Sequence, residues 1–178
     1  VEQVTLGITA RTFFHGRLQS EKYGPVTNPA AGAGFKVTIG TEYYEAWAAL
    51  TFLLTTSSHA ANRAVVLQLL DEASNVVAAI PAGSTQAASL GYTYSFVAGV
   101  GNVNAVEGLA VVSPMFPMVI PSSYSLNVAI TNVDTADQIS KIFGYRDRFS
   151  TGTDGYPVGG FSFEQFPDLA ERFALGNT

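Results

Sequence analysis

The 178-residue chain has no cysteine, three lysines, two histidines and one tryptophan, and charged residues make up 13% of it. Without cysteine there are neither disulfides nor thiolate metal sites, so the fold must hold by packing or by association. The nine Lys and Arg residues are scattered and outnumbered by fourteen Asp and Glu, for a net charge of −5. Binding that rests on phosphate neutralisation is not expected from such a balance, and no polybasic run suits an anionic membrane surface. Long apolar runs are missing too. The longest, 46–54 and 65–70, are interrupted by Thr51 and Gln68 and fall well short of the ~18 residues of a membrane span. Val1-Glu2-Gln3-Val4-Thr5-Leu6 carries neither the basic region nor the apolar stretch of a signal peptide, so no secretion is expected from it.

Catalytic constellations are equally scarce, and no enzyme, cofactor or metal site is expected. His59 ends Thr55-Thr56-Ser57-Ser58-His59 with no His or Glu four residues on, which reads as a satisfied loop histidine rather than a base. His15, beside Phe13 and Phe14, reads as a packing or interface residue. The acids Glu42, Glu45, Asp71, Glu72, Asp134 and Asp137 include candidates for paired-carboxylate chemistry, and Asp134 with Asp137 for Ca²⁺. Most lie in expected turns, where Asp is common for backbone reasons. Gly99-Val100-Gly101 lacks the third Gly and the Lys of a phosphate loop and reads as a turn. Tyr43, Tyr44 and Trp47 offer a sugar-stacking platform, against the plainer reading of Trp47 as core or interface. Arg63, at the start of an expected strand, reads as an ion-pair or loop-anchoring residue.

What the chain does have is alternation. Leu90, Tyr92, Tyr94 and Phe96 share one face against Gly91, Thr93 and Ser95, and Tyr124, Leu126, Val128 and Ile130 alternate with Ser125, Asn127 and Thr131. A period of two over such lengths predicts half-buried antiparallel strands. Phe35, Val37 and Ile39, then Ala48, Leu50, Phe52 and Leu54, then Val65, Leu67 and Leu69 repeat the pattern. Further strands are expected at 76–80, broken by Pro81-Ala82-Gly83-Ser84, and at 138–145. Pro114, Pro117 and Pro121 place 109–120 at edges or irregular crossings. Eight or nine strands predict an all-β fold, an antiparallel β-sandwich of jelly-roll type.

This sandwich is expected to occupy residues 35–148. Residues 1–34 read as an N-terminal strand (Val4, Leu6, Ile8) and an arm. Residues 149–178 read as a Gly- and Phe-rich C-terminal arm ending in a short helix, with Pro167 at its start and Gly176 just past its end. Burying each of Phe161, Phe163, Phe166 and Phe173 stabilises by about 1.5–3 kcal/mol, so the tail is expected to dock, preferably on another chain. The candidate partner interface is therefore Phe13, Phe14, Tyr156, Phe161, Phe163, Phe166 and Phe173.

The stretch Leu50-Thr51-Phe52-Leu53-Leu54-Thr55-Thr56-Ser57-Ser58-His59-Ala60-Ala61-Asn62-Arg63-Ala64-Val65, followed by Leu67 to Asp71 and Asn75-Val76-Val77, resembles small β-rich virion proteins of tailed bacteriophages. Ala87-Ala88-Ser89, Tyr92-Thr93-Tyr94, Pro121 and Asp137-Gln138-Ile139-Ser140 follow in the same order, so the resemblance covers roughly residues 45–145 and leaves the arms unmatched. It implies a non-enzymatic virion component with a jelly-roll-like core, assembled in the bacterial host cytoplasm. The role expected first is a capsid decoration, cement or minor capsid protein whose partners are the major capsid protein or other virion proteins, itself a homo-oligomer. A neck, collar or tail part, or a carbohydrate- or receptor-binding module, are the alternatives. The resemblance is structural and assigns no functional residue.

Overall fold

In the computed structural model, which describes residues 18–101, 103–107 and 110–150, every regular element is a β-strand. The strands are β1 (Leu18–Tyr23), β2 (Phe35–Thr38), β3 (Tyr43–Thr55), β4 (Arg63–Leu70), β5 (Val76–Gln86), β6 (Gly91–Val97), β7 (Val103–Glu107), β8 (Ala110–Pro114), β9 (Ser125–Thr131) and β10 (Gln138–Ser150). They form a six-stranded sheet, β1-β10-β3-β6-β8-β7, and a four-stranded sheet, β2-β9-β4-β5. The pairs β4–β5, β3–β6, β2–β9 and β1–β10 are all antiparallel and nest inside one another along the chain. One long hairpin, wound so that its pairs fall alternately in two sheets, gives this order: a jelly roll. The β7–β8 hairpin is inserted between β6 and β9 and widens the larger sheet, β8 lying parallel to β6.

The expected alternation supplies the core. Leu50, Phe52 and Leu54 of β3, Val65, Leu67 and Leu69 of β4, Tyr94 and Phe96 of β6, Leu126 and Val128 of β9, and Ile139 and Ile142 of β10 are buried together. Phe52 stacks on Tyr94 with ring centres 5.5 Å apart and meets Phe35 edge-on at 5.4 Å. Each such pair adds about 0.5–1.5 kcal/mol to what its area gives.

Three expectations are corrected by physical detail. Ala48, expected inward with Leu50, is exposed. A bulge where the register passes from Tyr145↔Ala49 to Arg146↔Trp47 shifts the pleat by one residue, so beyond it Trp47 and Glu45 turn inward instead. Pro81 does not end its strand: β5 runs through it, opposite Val66. As an edge strand, β5 does not need the amide hydrogen that proline lacks. Finally, Leu18–Tyr23, inside the expected N-terminal arm, pairs with β10 as part of the sheet, and β10 itself continues to Ser150, past the expected end of the sandwich at 148.

Gly144 shows why a residue without a side chain sits mid-strand. A Cβ there would lie 2.6 Å from the Ala49 carbonyl oxygen and 2.8 Å from Trp47 Cζ3. The indole occupies the place a side chain would fill, and Tyr23 packs edge-on against it at 5.1 Å.

Candidate functional site

Two polar clusters lie at opposite ends of β3. At its C-terminal end Arg63, the first residue of β4, is fully buried and all five of its N–H groups are used. Nε donates to Asp137 Oδ2 at 2.9 Å and Nη2 to Asp137 Oδ1 at 3.0 Å. Nη2 also donates to Ser57 Oγ at 3.0 Å, and Nη1 to the carbonyls of His59, at 2.7 Å, and Ala61. Asp137 further accepts the backbone amides of Ser57 at 2.7 Å and Asp134 at 2.8 Å. Burial pushes the Asp137 carboxyl up, but the bonds from Arg63 and from these two amides outweigh it and hold the group down at about 2. The pair thus clamps the β3–β4 loop to the β9–β10 loop. Asp134 is also held below the usual carboxylate range, chiefly by the Ala136 amide.

At the other end, β1, β10 and β3 place Glu21, Arg146 and Arg148, and Glu45 and Trp47 on the inward face. Registers Glu21↔Arg146↔Trp47 and Arg148↔Glu45 put them side by side. Glu45 is completely buried. It accepts from Trp47 Nε1 at 2.9 Å and from Arg146 Nη1 at 2.9 and 3.1 Å. Arg146 also donates to Glu21, from Nε at 2.8 Å and from Nη2. Arg148 Nε lies 3.2 Å from Glu45 Oε1 as an ion pair not aligned for a hydrogen bond. The Arg146 guanidinium sits 5.0 Å from the Tyr23 ring centre and 5.4 Å from that of Trp47, and Arg148 is 3.7 Å above Tyr43. Burial raises the Tyr23 phenol above its ordinary value, with Arg146 opposing.

Chemically these clusters are fasteners. Each buried carboxylate has its oxygens taken up by cationic or amide donors, which leaves little capacity for proton transfer or for attack. Asp137 is committed to Arg63 rather than to a Ca²⁺ ion, and no group of three His, Asp or Glu able to hold a metal occurs among the described residues. Trp47 is 3% exposed, so the stacking platform with Tyr43 and Tyr44 does not form. His59 contributes its carbonyl, not its ring, to the Arg63 clamp.

The expected interface residues Phe13, Phe14, Tyr156, Phe161, Phe163, Phe166 and Phe173 lie outside the described residues, as does the expected C-terminal helix. The structure does fix where the two flanks join the sandwich. Leu18 is opposite Phe149, so both leave from one corner of the larger sheet, beside the Arg146 cluster. That cluster escaped the sequence reading, although its spacing carried a signal: Arg146-x-Arg148 and Glu45-x-Trp47 each put two residues on one strand face.

No family model matches the sequence, and no curated protein matches it. Among solved structures, one described as "Structure of infectious bursal disease virus Gt strain" matches with a TM-score of 0.28 and 12% identity, over 80% of this chain and 32% of that chain. The present chain therefore spans about a third of that protein's length. A likeness at that score carries no argument, and the fold rests on the strand order itself.

Proposed function

We propose that this chain is a non-enzymatic structural protein of a bacteriophage virion, a capsid decoration, cement or minor capsid protein that binds the shell through the segments flanking its sandwich. The observation that carries this reading is the nested jelly-roll strand order, an architecture used by viral capsid domains as well as by lectins and cupins. It is a fold-level argument, and two further features favour the virion branch. The space between the sheets is filled by Phe52, Tyr94, Phe96 and their neighbours, whereas a cupin-like ligand site needs room there. The single tryptophan is inside, which removes the aromatic anchor of the carbohydrate-binding alternative. The resemblance of residues 45–145 to tailed-phage virion proteins points the same way.

The two flanks supply the binding elements in this reading. Both start at one corner, so a neighbouring major capsid protein would meet them together while the rigid sandwich stands clear. Immunogold electron microscopy of purified particles with an antibody against this chain tests the proposal. Label spread over the head is expected. Label confined to the neck or tail would move the chain to those structures, and unlabelled particles would overturn the exposed-virion reading. Truncation after Ser150, at the end of β10, is expected to abolish particle binding, and retained binding would refute the role of the C-terminal segment.

A further inference from the structure

Neither polar cluster presents a free ligand position, but the outward face of the larger sheet is unusual for a surface in contact with water. The registers align Lys22, Tyr145, Ala49, Val97 and Pro114 in one row across β1, β10, β3, β6 and β8. The next row brings Phe143 opposite Thr51, and Leu53 follows along β3. Tyr145 is 51% and Tyr44 42% exposed, the largest aromatic exposures among the described residues. The charged side chains on this face are Lys22, the exposed Lys141 at the β10 bulge before Phe143 and, two residues beyond Tyr145, Asp147 opposite Ser20. A solvated sheet face normally alternates toward polar residues. This one has hydroxyls at Thr51, Thr93, Ser95 and Ser140, but its middle row is Tyr145, Ala49, Val97 and Pro114 and it carries three charges, in a chain whose net charge is −5.

We propose that this face is the contact surface for a second copy of the chain in a two-fold symmetric dimer. The charge pattern selects a copy of itself as the occupant. Lys22 and Asp147 lie diagonally on adjacent strands of the same face. A two-fold axis lying in the interface and crossing that diagonal at right angles sets Lys22 against the partner's Asp147 and Asp147 against the partner's Lys22. Such reciprocal pairing, one residue of the diagonal meeting the other in both directions, is what a self-complementary two-fold interface requires. The acidic excess that would hold two copies apart is carried elsewhere. Five strands about 4.8 Å apart, each offering about seven residues, give a face on the order of 550 Å² before side-chain relief is counted. That approaches the roughly 800 Å² per partner of a standard interface. Tyr145, the most exposed aromatic ring among the described residues, is suited to be its anchor.

This inference does not depend on the virion reading, because a dimer forms or fails to form in purified protein without particles. Sedimentation velocity of the full chain over a concentration series is the test, with circular dichroism confirming that each variant is folded. Wild type is expected to be dimeric. Tyr145→Glu, a change at an exposed position, is expected to weaken the dimer by roughly 30-fold or more in Kd, the scale of a lost hot-spot residue. Lys22→Asp and Asp147→Lys are each expected to weaken it, and the double variant to restore it. A wild type that stays monomeric throughout would overturn the proposal and leave the face to the chain's flanks or to another protein. A dimer indifferent to Tyr145→Glu would overturn the choice of face, and a double variant without recovery would overturn the two-fold pairing.

Discussion

Replacing Asp137 by Ala tests what the buried clamp is worth. The carboxylate accepts four N–H groups, Arg63 Nε at 2.9 Å and Nη2 at 3.0 Å, and the Ser57 and Asp134 amides at 2.7 and 2.8 Å. Its loss leaves a fully buried guanidinium with three remaining bonds, to Ser57 Oγ and the carbonyls of His59 and Ala61, and no counter-charge. Breaking a buried pair from one side costs about 3–5 kcal/mol, a large share of the roughly 5–15 kcal/mol that holds a typical domain together. Urea unfolding followed by fluorescence reads the loss directly, because Trp47 is the sole tryptophan and is buried. Asp137→Asn is expected to be nearly as damaging: one oxygen can still accept, but the amide nitrogen then faces donors. Adding Arg63→Met to Asp137→Ala removes the stranded charge and is expected to recover about 1–3 kcal/mol as coupling energy. Recovery should be incomplete, because the Ser57 and Asp134 amides stay without their acceptor. A loss below about 1 kcal/mol for Asp137→Ala, small for a buried pair, would refute the clamp as a stabilising element.

The same carboxyl makes stability depend on pH. With its folded value at about 2, below the ~3.9 of an unfolded Asp, its contribution is complete above ~3.9 and is lost as pH falls from there through about 2. The stability gap between wild type and Asp137→Asn, from urea midpoints measured at pH 5 and downward, should therefore narrow across that window, and a constant gap would count against the assignment. Tyr94 Oη is buried without a hydrogen-bond partner and its phenol is pushed upward chiefly by burial. Tyr94→Phe should therefore raise stability by about 1 kcal/mol or more, while a loss in the same urea titration would reveal a partner for the hydroxyl. Gly144→Ala should destabilise by at least about 2 kcal/mol through overpacking and shift the Trp47 emission, since the new Cβ meets both the Ala49 carbonyl and the indole. An unaltered emission maximum and thermal midpoint would show that the sheet can open there at little cost.

Much of this fold is legible because one signal dominates. Where a strand is buried on one face and its pleat runs undisturbed, as in β4, β6 and β9, the period of two names the core residues directly. It fails where the backbone departs from the pleat. The bulge around Ala48 reverses the inward face, so Glu45 and Trp47 fall in the interior although the alternation read from Leu54 backward would turn them out. Pro81 misleads for the opposite reason: as a strand breaker it is read locally, while its tolerance depends on β5 being an edge, which is a property of the whole sheet. The segment 18–23 offers no apolar alternation at all. Its strand is held by pairing with β10 and by Glu21 reaching Arg146, contacts about 125 residues apart in the chain.

The two clusters differ in legibility for a related reason. The parts of the Arg63 clamp, Ser57-Ser58-His59-Ala60-Ala61-Asn62-Arg63 and Asp137-Gln138-Ile139-Ser140, lie within the stretches that carry the resemblance to tailed-phage virion proteins. Their tie is covalent-like in its demands: one planar guanidinium, one bidentate carboxylate and carbonyls at fixed places. Few other residues can meet those demands, so the motif stands out in sequence. Arg146, Arg148, Glu21 and Glu45 answer a looser one. They close the end of the sandwich where the larger sheet extends and the flanks depart, and there a charge-neutral group of two arginines and two glutamates, braced by Tyr23, Tyr43 and Trp47, fills space that apolar side chains fill elsewhere. Such a group is written into the strands as scattered charges, and only the register brings it together. The Lys22 and Asp147 pattern on the opposite face of the same strands is hidden in the same way, which is why the surface inferred to meet a second copy could be recognised from the pairing of β1 with β10 and from neither strand alone.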